Sequence, residues 1–197
     1  GSKQSPIKLN LPASIYADLE HIQIVAYGTS LHAGMVGKYL LEELAQIPTA
    51  IQYASEFRYS PPPLTANTLT IGITQSGETA DTLAAVEIEQ SRRQDQQPKY
   101  HSRLLAVTNR TDSAITRIVD CVIDTHAGME IGVAATKTFM GQLMAFYCLS
   151  LDLAHRRGTI TPDRLAEIIT GLKVLPSQIE VILETQEKYI EELSHSF

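Results

Sequence analysis

Apolar residues along the chain gather in short runs that alternate with longer segments of helical spacing. Five runs have the length of β-strands: His21–Tyr27, Thr49–Tyr53, Leu69–Thr74, Leu104–Thr108 and Cys121–Thr125. Several are almost continuously apolar and rich in valine and isoleucine, as expected of strands buried on both faces of a sheet. Because helical patterns separate most of these strands, we predict an α/β fold, a three-layer sandwich around a five-stranded parallel sheet.

The segments between the strands have the apolar spacing of helices. After the first strand, one apolar stripe is formed by Ala33, Val36, Gly37, Leu40 and Leu44. Further helices are predicted over residues 79–94, 113–119 and 136–156. Two polar or proline-containing segments, residues 59–67 and 92–103, are predicted loops.

A helical segment also occupies the C-terminal part of the chain. Thr161 and Pro162 form its start, because threonine caps the first amides and proline fits the first helical position. Pro176 is expected to break or kink this segment, since proline removes one hydrogen bond and its ring collides with the preceding turn. The pattern therefore predicts two helical pieces after residue 161.

Composition and charge narrow the partners that the chain can bind. A length of 197 residues suffices for one domain with a full core, and no apolar run is long enough to cross a membrane. A net charge of −6 without a long basic run argues against nucleic acid as the main partner. An anionic small ligand remains compatible, because backbone amides and helix ends bind phosphate without net positive charge.

Cysteine and histidine positions indicate neither a disulfide framework nor a metal site. The two cysteines, Cys121 and Cys148, fall in a strand pattern and a helix pattern, which fits a reducing cytoplasm. The sequence contains no His/Cys/Asp cluster with metal-ligand spacing, and we predict no cofactor. Gly1 and Ser2 resemble the remnant of a removed affinity tag, and no signal peptide follows them.

The third strand ends in the stretch "TQSGET", which is rich in small hydroxyl-bearing residues. Ligands of open parallel sheets bind beyond the carboxyl ends of the strands, where the next helix presents free amides. Ser76 and Thr79 could donate hydroxyl hydrogen bonds to a phosphate there, and Gly77 would let the backbone approach it closely. Taken alone, the stretch fits plain helix capping equally well.

The first strand ends in a similar turn, formed by Gly28, Thr29 and Ser30. In a flavodoxin-like strand order 2-1-3-4-5, the first and third strands are neighbours, so both turns would converge on one pocket. Neither turn contains the Gly-Lys-Ser/Thr of a P-loop, the spacing of a dinucleotide fingerprint or the Gly-x-Ser-x-Gly of a hydrolase elbow.

A third polar stretch, "THAGMEIGVAATKT", follows the fifth strand and precedes the long helix. It contains His126, Glu130 and Lys137. The histidine and the carboxylate could serve as an acid and a base, or they could be structural or exposed. The stretch by itself favours the second interpretation.

Together, the motifs "YGTSLHAG", "ASEFRY", "TQSGETADT" and "HAGMEIGVAATKTF" resemble the isomerase part of the glutamine–fructose-6-phosphate aminotransferases, also called glucosamine-6-phosphate synthases. That part consists of two sugar-isomerase (SIS) domains in tandem. The resemblance runs from about Ser14 to the end of the chain and matches the first SIS domain. It implies an N-terminal extension over residues 1–13, a SIS domain over 14–157 and C-terminal helices over 158–197 that lead to a second SIS domain outside the chain.

The resemblance also implies a function. The family makes glucosamine 6-phosphate from fructose 6-phosphate and glutamine, in amino-sugar biosynthesis, as cytoplasmic homodimers that also carry a glutaminase domain. Its general base, its sugar-contacting lysines and the histidine associated with ring opening lie outside the matched part. We therefore expect this chain to be the sugar-phosphate-binding half of the isomerase part, to be inactive alone and to contain no catalytic residue.

The resemblance carries over to individual residues. Ser30, Gln75, Ser76 and Thr79 match the family's phosphate and sugar binders, and Thr74 stands where the family usually has serine. Tyr27 replaces a common cysteine, while Ala135 replaces a common serine and so removes one hydroxyl near the sugar. Val133 would offer its backbone to the sugar. The predicted binding set is Gly28, Thr29, Ser30, Thr74, Gln75, Ser76, Gly77, Thr79, Val133 and Ala135.

Two alternatives remain open from the sequence. The chain could be a free-standing SIS module that senses a sugar phosphate without chemistry of its own. It could also be a complete sugar-phosphate isomerase whose acid and base come from a neighbouring subunit, with Glu56, Glu130 and His126 as candidates.

Overall fold

The computed structural model describes residues 5–132 and 134–196. The chain divides into two compact units, residues 1–159 and residues 160–197. Gly1 and Ser2, interpreted above as a tag remnant, lie outside the described residues, as does Val133.

The first unit is built on a parallel sheet. Its strands are β1 (His21–Ala26), β2 (Thr49–Tyr53), β3 (Thr68–Thr74), β4 (Leu104–Thr108) and β5 (Cys121–Asp124). The strand order is β2-β1-β3-β4-β5, and every neighbouring pair is parallel. The predicted fold class and strand order are therefore confirmed.

Helices cover both faces of this sheet. They are α1 (Ala13–Tyr16), α2 (Thr29–Ala45), α3 (Ala54–Phe57), α4 (Ala80–Arg93) and α5 (Lys137–Arg157). Ile24 of β1 lies under α2, whereas the next residue, Val25, belongs to a core cluster with residues of α3 and α4. Since successive side chains of a strand point to opposite faces, α2 and the α3–α4 pair lie on opposite sides of the sheet.

The predicted helix over residues 113–119 is wrong. Only a three-residue 3₁₀ helix, Ile115–Arg117, forms there, and a second one, Pro98–Tyr100, lies in a predicted loop. The Thr116 hydroxyl donates to the carbonyl of Ser113 at 2.8 Å, and the Ser113 hydroxyl donates to Arg110 at 2.7 Å. These local hydrogen bonds compete with helix formation, because they satisfy the backbone in another geometry.

The buried face of α2 differs from the predicted stripe. Ala33 and Gly37 are buried as expected, but Val36, Leu40 and Leu44 are only half-buried. The buried positions of the helix are Ser30, Leu31, Ala33, Gly34, Gly37, Leu41 and Ala45. Small residues dominate this face because α5 approaches closely there, with the ring of Phe146 against Gly37.

The second unit contains one long helix, α6 (Pro162–Ser194). It begins as predicted, with the Thr161 side chain accepting a hydrogen bond from the amide of Arg164 at 3.3 Å. The predicted division into two helical pieces is wrong, because the helix continues through Pro176. Pro176 is exposed, so the hydrogen bond that proline cannot make is lost on a solvated part of the helix.

The two cysteines are half-buried. Cys121 and Cys148 are both free. Burial raises the pKa of Cys121 to about 12 and also raises the pKa of Cys148, so both thiols stay protonated at neutral pH. Within residues 5–132 and 134–196, no helix has the length and apolar character needed to span a membrane.

Candidate functional site

Two hydroxyl-rich turns lie side by side at the carboxyl edge of the sheet. The turn Gly28–Ser30 follows β1, and the loop Gln75–Thr79 follows β3. Their strands are paired, with Ala26 opposite Ile73. This is the point of the sheet where the strand order reverses, at which α/β proteins bind ligands.

The turn after β1 leads directly into α2. Gly28 is the N-cap residue, with a φ of 60° and a ψ of −139°, a conformation that glycine adopts readily. Thr29 is exposed, whereas Ser30 is only 8% exposed. The amide of Gln142 on α5 donates a hydrogen bond of 3.0 Å to the Ser30 hydroxyl oxygen.

The loop after β3 is held by its own side chains. The amide of Gly77 donates to the Thr74 hydroxyl oxygen at 3.2 Å, and this oxygen lies 2.8 Å from the hydroxyl of Thr79. The amide of Glu78 donates to the Ser76 hydroxyl oxygen at 3.1 Å. The loop is therefore ordered by backbone N–H groups that donate to its hydroxyls.

The hydroxyl of Thr79 does not cap α4. Thr79 is the N-cap residue, yet within the described chain its side chain makes no hydrogen bond to the first amides of the helix. It is paired with Thr74 instead. The sequence left two interpretations of this stretch open, phosphate binding and plain helix capping. The geometry gives no support to capping by Thr79.

These contacts leave hydroxyl protons available to a ligand. A serine hydroxyl has one proton and two lone pairs, so an oxygen that accepts from an N–H group still has its proton to donate. This applies to Ser30, which accepts from Gln142, and to Ser76, which accepts from Glu78. Each of these hydroxyls keeps a proton to donate, and the starts of α2 and α4 present free amides at the same edge of the sheet.

Neighbouring segments fix the position of the β3 loop. Glu78 accepts a hydrogen bond of 2.7 Å from the amide of Ala114, and the carbonyl of Gly77 accepts one of 3.1 Å from the amide of Ile115. The carbonyl of Gln75 accepts from the amide of Asn109 at 3.2 Å. Gly77 itself is buried against Ser113 and has a φ of 71°.

Asn109 positions the third polar stretch, a role that our sequence reasoning missed. Its side-chain oxygen accepts from the Thr125 hydroxyl at 3.0 Å and from the amide of Ala127 at 2.9 Å. Its side-chain nitrogen donates to the carbonyl of Gly128 at 2.6 Å. The sequence signal for Asn109 is its position directly after β4, at the same edge of the sheet as the other turns.

Glu130 acts as a structural cap in this stretch. One carboxylate oxygen accepts from the amide and the hydroxyl of Thr136, both at 3.0 Å, and the other accepts from the hydroxyl of Thr138. These hydrogen bonds lower the pKa of Glu130 to about 2. A general base is most effective with a pKa near the working pH, so this carboxylate is poorly suited to that role.

The remaining residues that were singled out from the sequence, beginning with His126, are exposed or half-buried. His126 has a φ of 50°, is exposed, and places Nδ1 3.1 Å from a carboxylate oxygen of Asp124. Glu56 and Lys137 are exposed, in the first turns of α3 and α5. Tyr27 is 55% exposed at the end of β1, and Ala135 is half-buried just before α5.

Metal binding finds no support at this edge. Within residues 5–132 and 134–196, no group of three or more His, Cys, Asp or Glu side chains could hold a metal ion. The arrangement favours an anionic ligand bound through hydroxyl and amide protons.

Comparison of the sequence with curated proteins identifies relatives of this chain. The chain is 63% identical, over 98% of its length, to the glutamine--fructose-6-phosphate aminotransferase [isomerizing] of Thermosynechococcus vestitus, of which it covers 31%. It is 46% identical over 96% of its length to the protein of the same name from Methanosarcina mazei, of which it covers 29%. The chain thus spans about a third of the length of these relatives.

Solved structures and a family model complete the comparison. The C-terminal domain of glucosamine-fructose-6-phosphate aminotransferase from Francisella tularensis superposes with a TM-score of 0.82 at 33% identity, over 91% of this chain and 49% of that one. A putative phosphosugar isomerase from Clostridium difficile shares the fold, with a TM-score of 0.80 at 21% identity over 95% of this chain and 51% of that one. The family model of the SIS domain matches residues 15–151. The chain therefore belongs to the SIS domain family.

Proposed function

We propose that this chain is the sugar-phosphate-binding half of the isomerase part of a glutamine–fructose-6-phosphate aminotransferase, and that it binds the phosphate of fructose 6-phosphate at the turns after β1 and β3. One observation carries the proposal. The hydroxyl oxygens of Ser30 and Ser76 are occupied by N–H donors, so their protons are left for an anion. The aminotransferase names of relatives that are up to 63% identical support the sugar phosphate as that anion.

The phosphate contributes to the reaction through binding energy. A phosphate group held by hydroxyls and helix amides fixes the distant carbons of the sugar relative to the catalytic groups. Binding energy from this non-reacting part of the substrate can offset the cost of orienting the reacting part. The chain would contribute position, while the proton transfers of the isomerisation occur elsewhere.

Catalytic groups are proposed to come from outside this chain. Glu130, with its pKa lowered to about 2 by three hydroxyl and amide contacts, is unsuited as a base. We propose that residues 14–157 form the SIS domain and that residues 158–197 lead to a second SIS domain. A glutaminase domain belongs to the same proposal, and the curated relatives support further domains by being about three times as long. A homodimeric assembly and a cytoplasmic location are proposed with it.

Replacing Ser76 by alanine is expected to weaken binding of fructose 6-phosphate by roughly ten-fold or more. The lost hydrogen bond to a charged phosphate is worth about 1.5–3 kcal/mol, and each 1.4 kcal/mol is about ten-fold in affinity. The measurement is isothermal titration of the wild-type chain and the variant with fructose 6-phosphate.

Ser91→Ala is the matched control for this substitution. Ser91 is exposed on α4 and donates only to the carbonyl of Glu87, at 2.9 Å, so its loss should leave affinity unchanged. Equal affinity of the wild type and Ser76→Ala would mean that the phosphate does not bind at this loop.

A further inference from the structure

Gln142 is a buried polar residue at the interface of α2 and α5. Its side chain is 2% exposed, and its amide nitrogen donates to the Ser30 hydroxyl oxygen at 3.0 Å. Ser30 lies in the first turn of α2, directly after β1, whereas Gln142 lies 112 positions away in the sequence. The contact therefore links a helix on the face of the sheet to the turn at its carboxyl edge.

We infer that Gln142 is a positioning residue for phosphate binding, which it serves by orienting the hydroxyl of Ser30. This inference rests on the proposed function. A serine hydroxyl rotates freely about its C–O bond, and in a helix it can turn its proton toward a backbone carbonyl. The N–H of Gln142 occupies a lone pair of the Ser30 oxygen, so the hydroxyl proton is directed away from the Gln142 nitrogen.

Packing alone does not explain a glutamine at this position. The buried α5 residues that follow it, Ala145, Phe146 and Leu149, are apolar, whereas the other buried polar residues of this helix are Thr138, Ser150 and Asp152. A buried amide is costly unless it is hydrogen-bonded, and a leucine or methionine would fill a similar volume without that cost. The one neighbour that the described hydrogen bonds give to the Gln142 side chain is the hydroxyl of Ser30.

Ser150 is a buried serine of α5 itself, and its hydrogen bonding differs from that of Ser30. Ser150 is fully buried, and its hydroxyl has no hydrogen-bond partner among the described residues. The fold thus tolerates a buried serine of α5 without a donor. At the carboxyl edge, by contrast, the buried Ser30 accepts a hydrogen bond from Gln142.

The amide is also the chemically suitable donor. It is neutral at every pH at which the protein is folded, and it offers N–H groups that cannot be lost by titration. A glutamate of the same shape would accept the Ser30 proton and place a negative charge beside the incoming phosphate. The inference therefore predicts that Gln142→Glu weakens phosphate binding more than Gln142→Leu does.

A double-mutant cycle tests the inference. The wild-type chain, Ser30→Ala, Gln142→Leu and the double variant are titrated with fructose 6-phosphate, and thermal unfolding is recorded for each. Ser30→Ala should lose roughly ten-fold in affinity, and Gln142→Leu between about two-fold and ten-fold. Because Gln142 acts through Ser30, the double variant should bind no more weakly than Ser30→Ala.

The outcomes separate this inference from the proposed function. If wild-type binding is absent, or if Ser30→Ala binds like the wild type, the proposed function fails at this residue. If Ser30→Ala weakens binding but Gln142→Leu does not, or if the two losses add in the double variant, only the role of Gln142 is overturned. Gln142→Met, an unbranched apolar replacement, provides the same test should the leucine variant fold poorly, and Ser150→Ala on the same helix should bind like the wild type.

Discussion

Gly77→Ala is expected to abolish most of the affinity for sugar phosphate, by at least about 100-fold. The substitution would displace the loop that carries Ser76 and Thr79, and two hydrogen bonds to a charged phosphate are together worth about 3–6 kcal/mol. No other single substitution in the two turns is expected to disturb both hydroxyls at once.

Two physical effects combine at Gly77. Its φ of 71° lies in the left-handed region, which costs a residue with a Cβ about 1–2 kcal/mol. A Cβ at this position would also overlap the side chain of Ser113 and lie 3.3 Å from the Thr108 hydroxyl oxygen. Since Ser113 is itself buried and bonded to Arg110, the loop must move instead.

Isothermal titration with fructose 6-phosphate measures the effect, and Gly158→Ala is the matched control. Gly158 ends α5 with a φ of 70°, but a Cβ there would meet no atom within 4 Å. The control therefore carries the backbone cost without the steric overlap and should retain wild-type affinity. Wild-type affinity in Gly77→Ala would show that the β3 loop does not contribute to the site.

Gly37→Ala is expected to lower the free energy of unfolding by about 2 kcal/mol, the middle of the range for overpacked cores. An added Cβ would lie 2.6 Å from Cε1 of Phe146 and overlap two further ring atoms. Phe146 is fully buried, so its ring cannot move aside without disturbing α5. A midpoint decrease of about 4–8 °C in thermal unfolding corresponds to this loss for a domain of this size.

Two further variants separate overlap from the general effect of replacing a helical glycine. Gly171→Ala in α6 adds a Cβ that meets no atom within 4 Å, so it should be neutral or stabilise by about 0.5–1 kcal/mol. Combining Gly37→Ala with Phe146→Leu should cost less than the sum of the two single changes, because the smaller side chain leaves room. A fully stable Gly37→Ala would mean that α2 and α5 are not packed this closely.

The sheet could be predicted from the sequence because its strands are buried on both faces. Such strands are short apolar runs with polar flanks, and β2 and β4 have the predicted bounds while the other three differ by one residue at one end. The parallel arrangement follows from strands that are connected through helices. These features depend on local pattern, which the chain displays directly.

Elements that depend on competing local interactions were predicted less well. Residues 113–119 have helical spacing, but the side chains of Ser113 and Thr116 bond to nearby carbonyls and leave only a short 3₁₀ helix. The buried face of α2 differs from the predicted stripe because α5 packs closely against this helix. This packing leaves room for small side chains but not for large apolar ones. Pro176 was overrated as a helix breaker, since an exposed helix can continue through proline.

The candidate site likewise combines features that are local in the sequence with contacts between distant residues. The hydroxyls of the two turns could be predicted, because they stand directly at the ends of β1 and β3 in the sequence. Gln142 could not, because its partner Ser30 is 112 positions away. Asn109 could be placed at this edge from its position after β4, but its pairing with Thr125, 16 positions away, could not be predicted. Tertiary structure alone brings such pairs together, so the orientation of the hydroxyls is visible only in three dimensions.

Phosphate binding by the two turns is tested by titration of the wild-type chain with fructose 6-phosphate and, in parallel, with unphosphorylated fructose. The two sugars differ by the phosphate alone, so any difference in affinity reports the contribution of the turns after β1 and β3. We expect saturable binding of fructose 6-phosphate and no measurable binding of fructose. Equal binding of both sugars, or binding of neither, would contradict it.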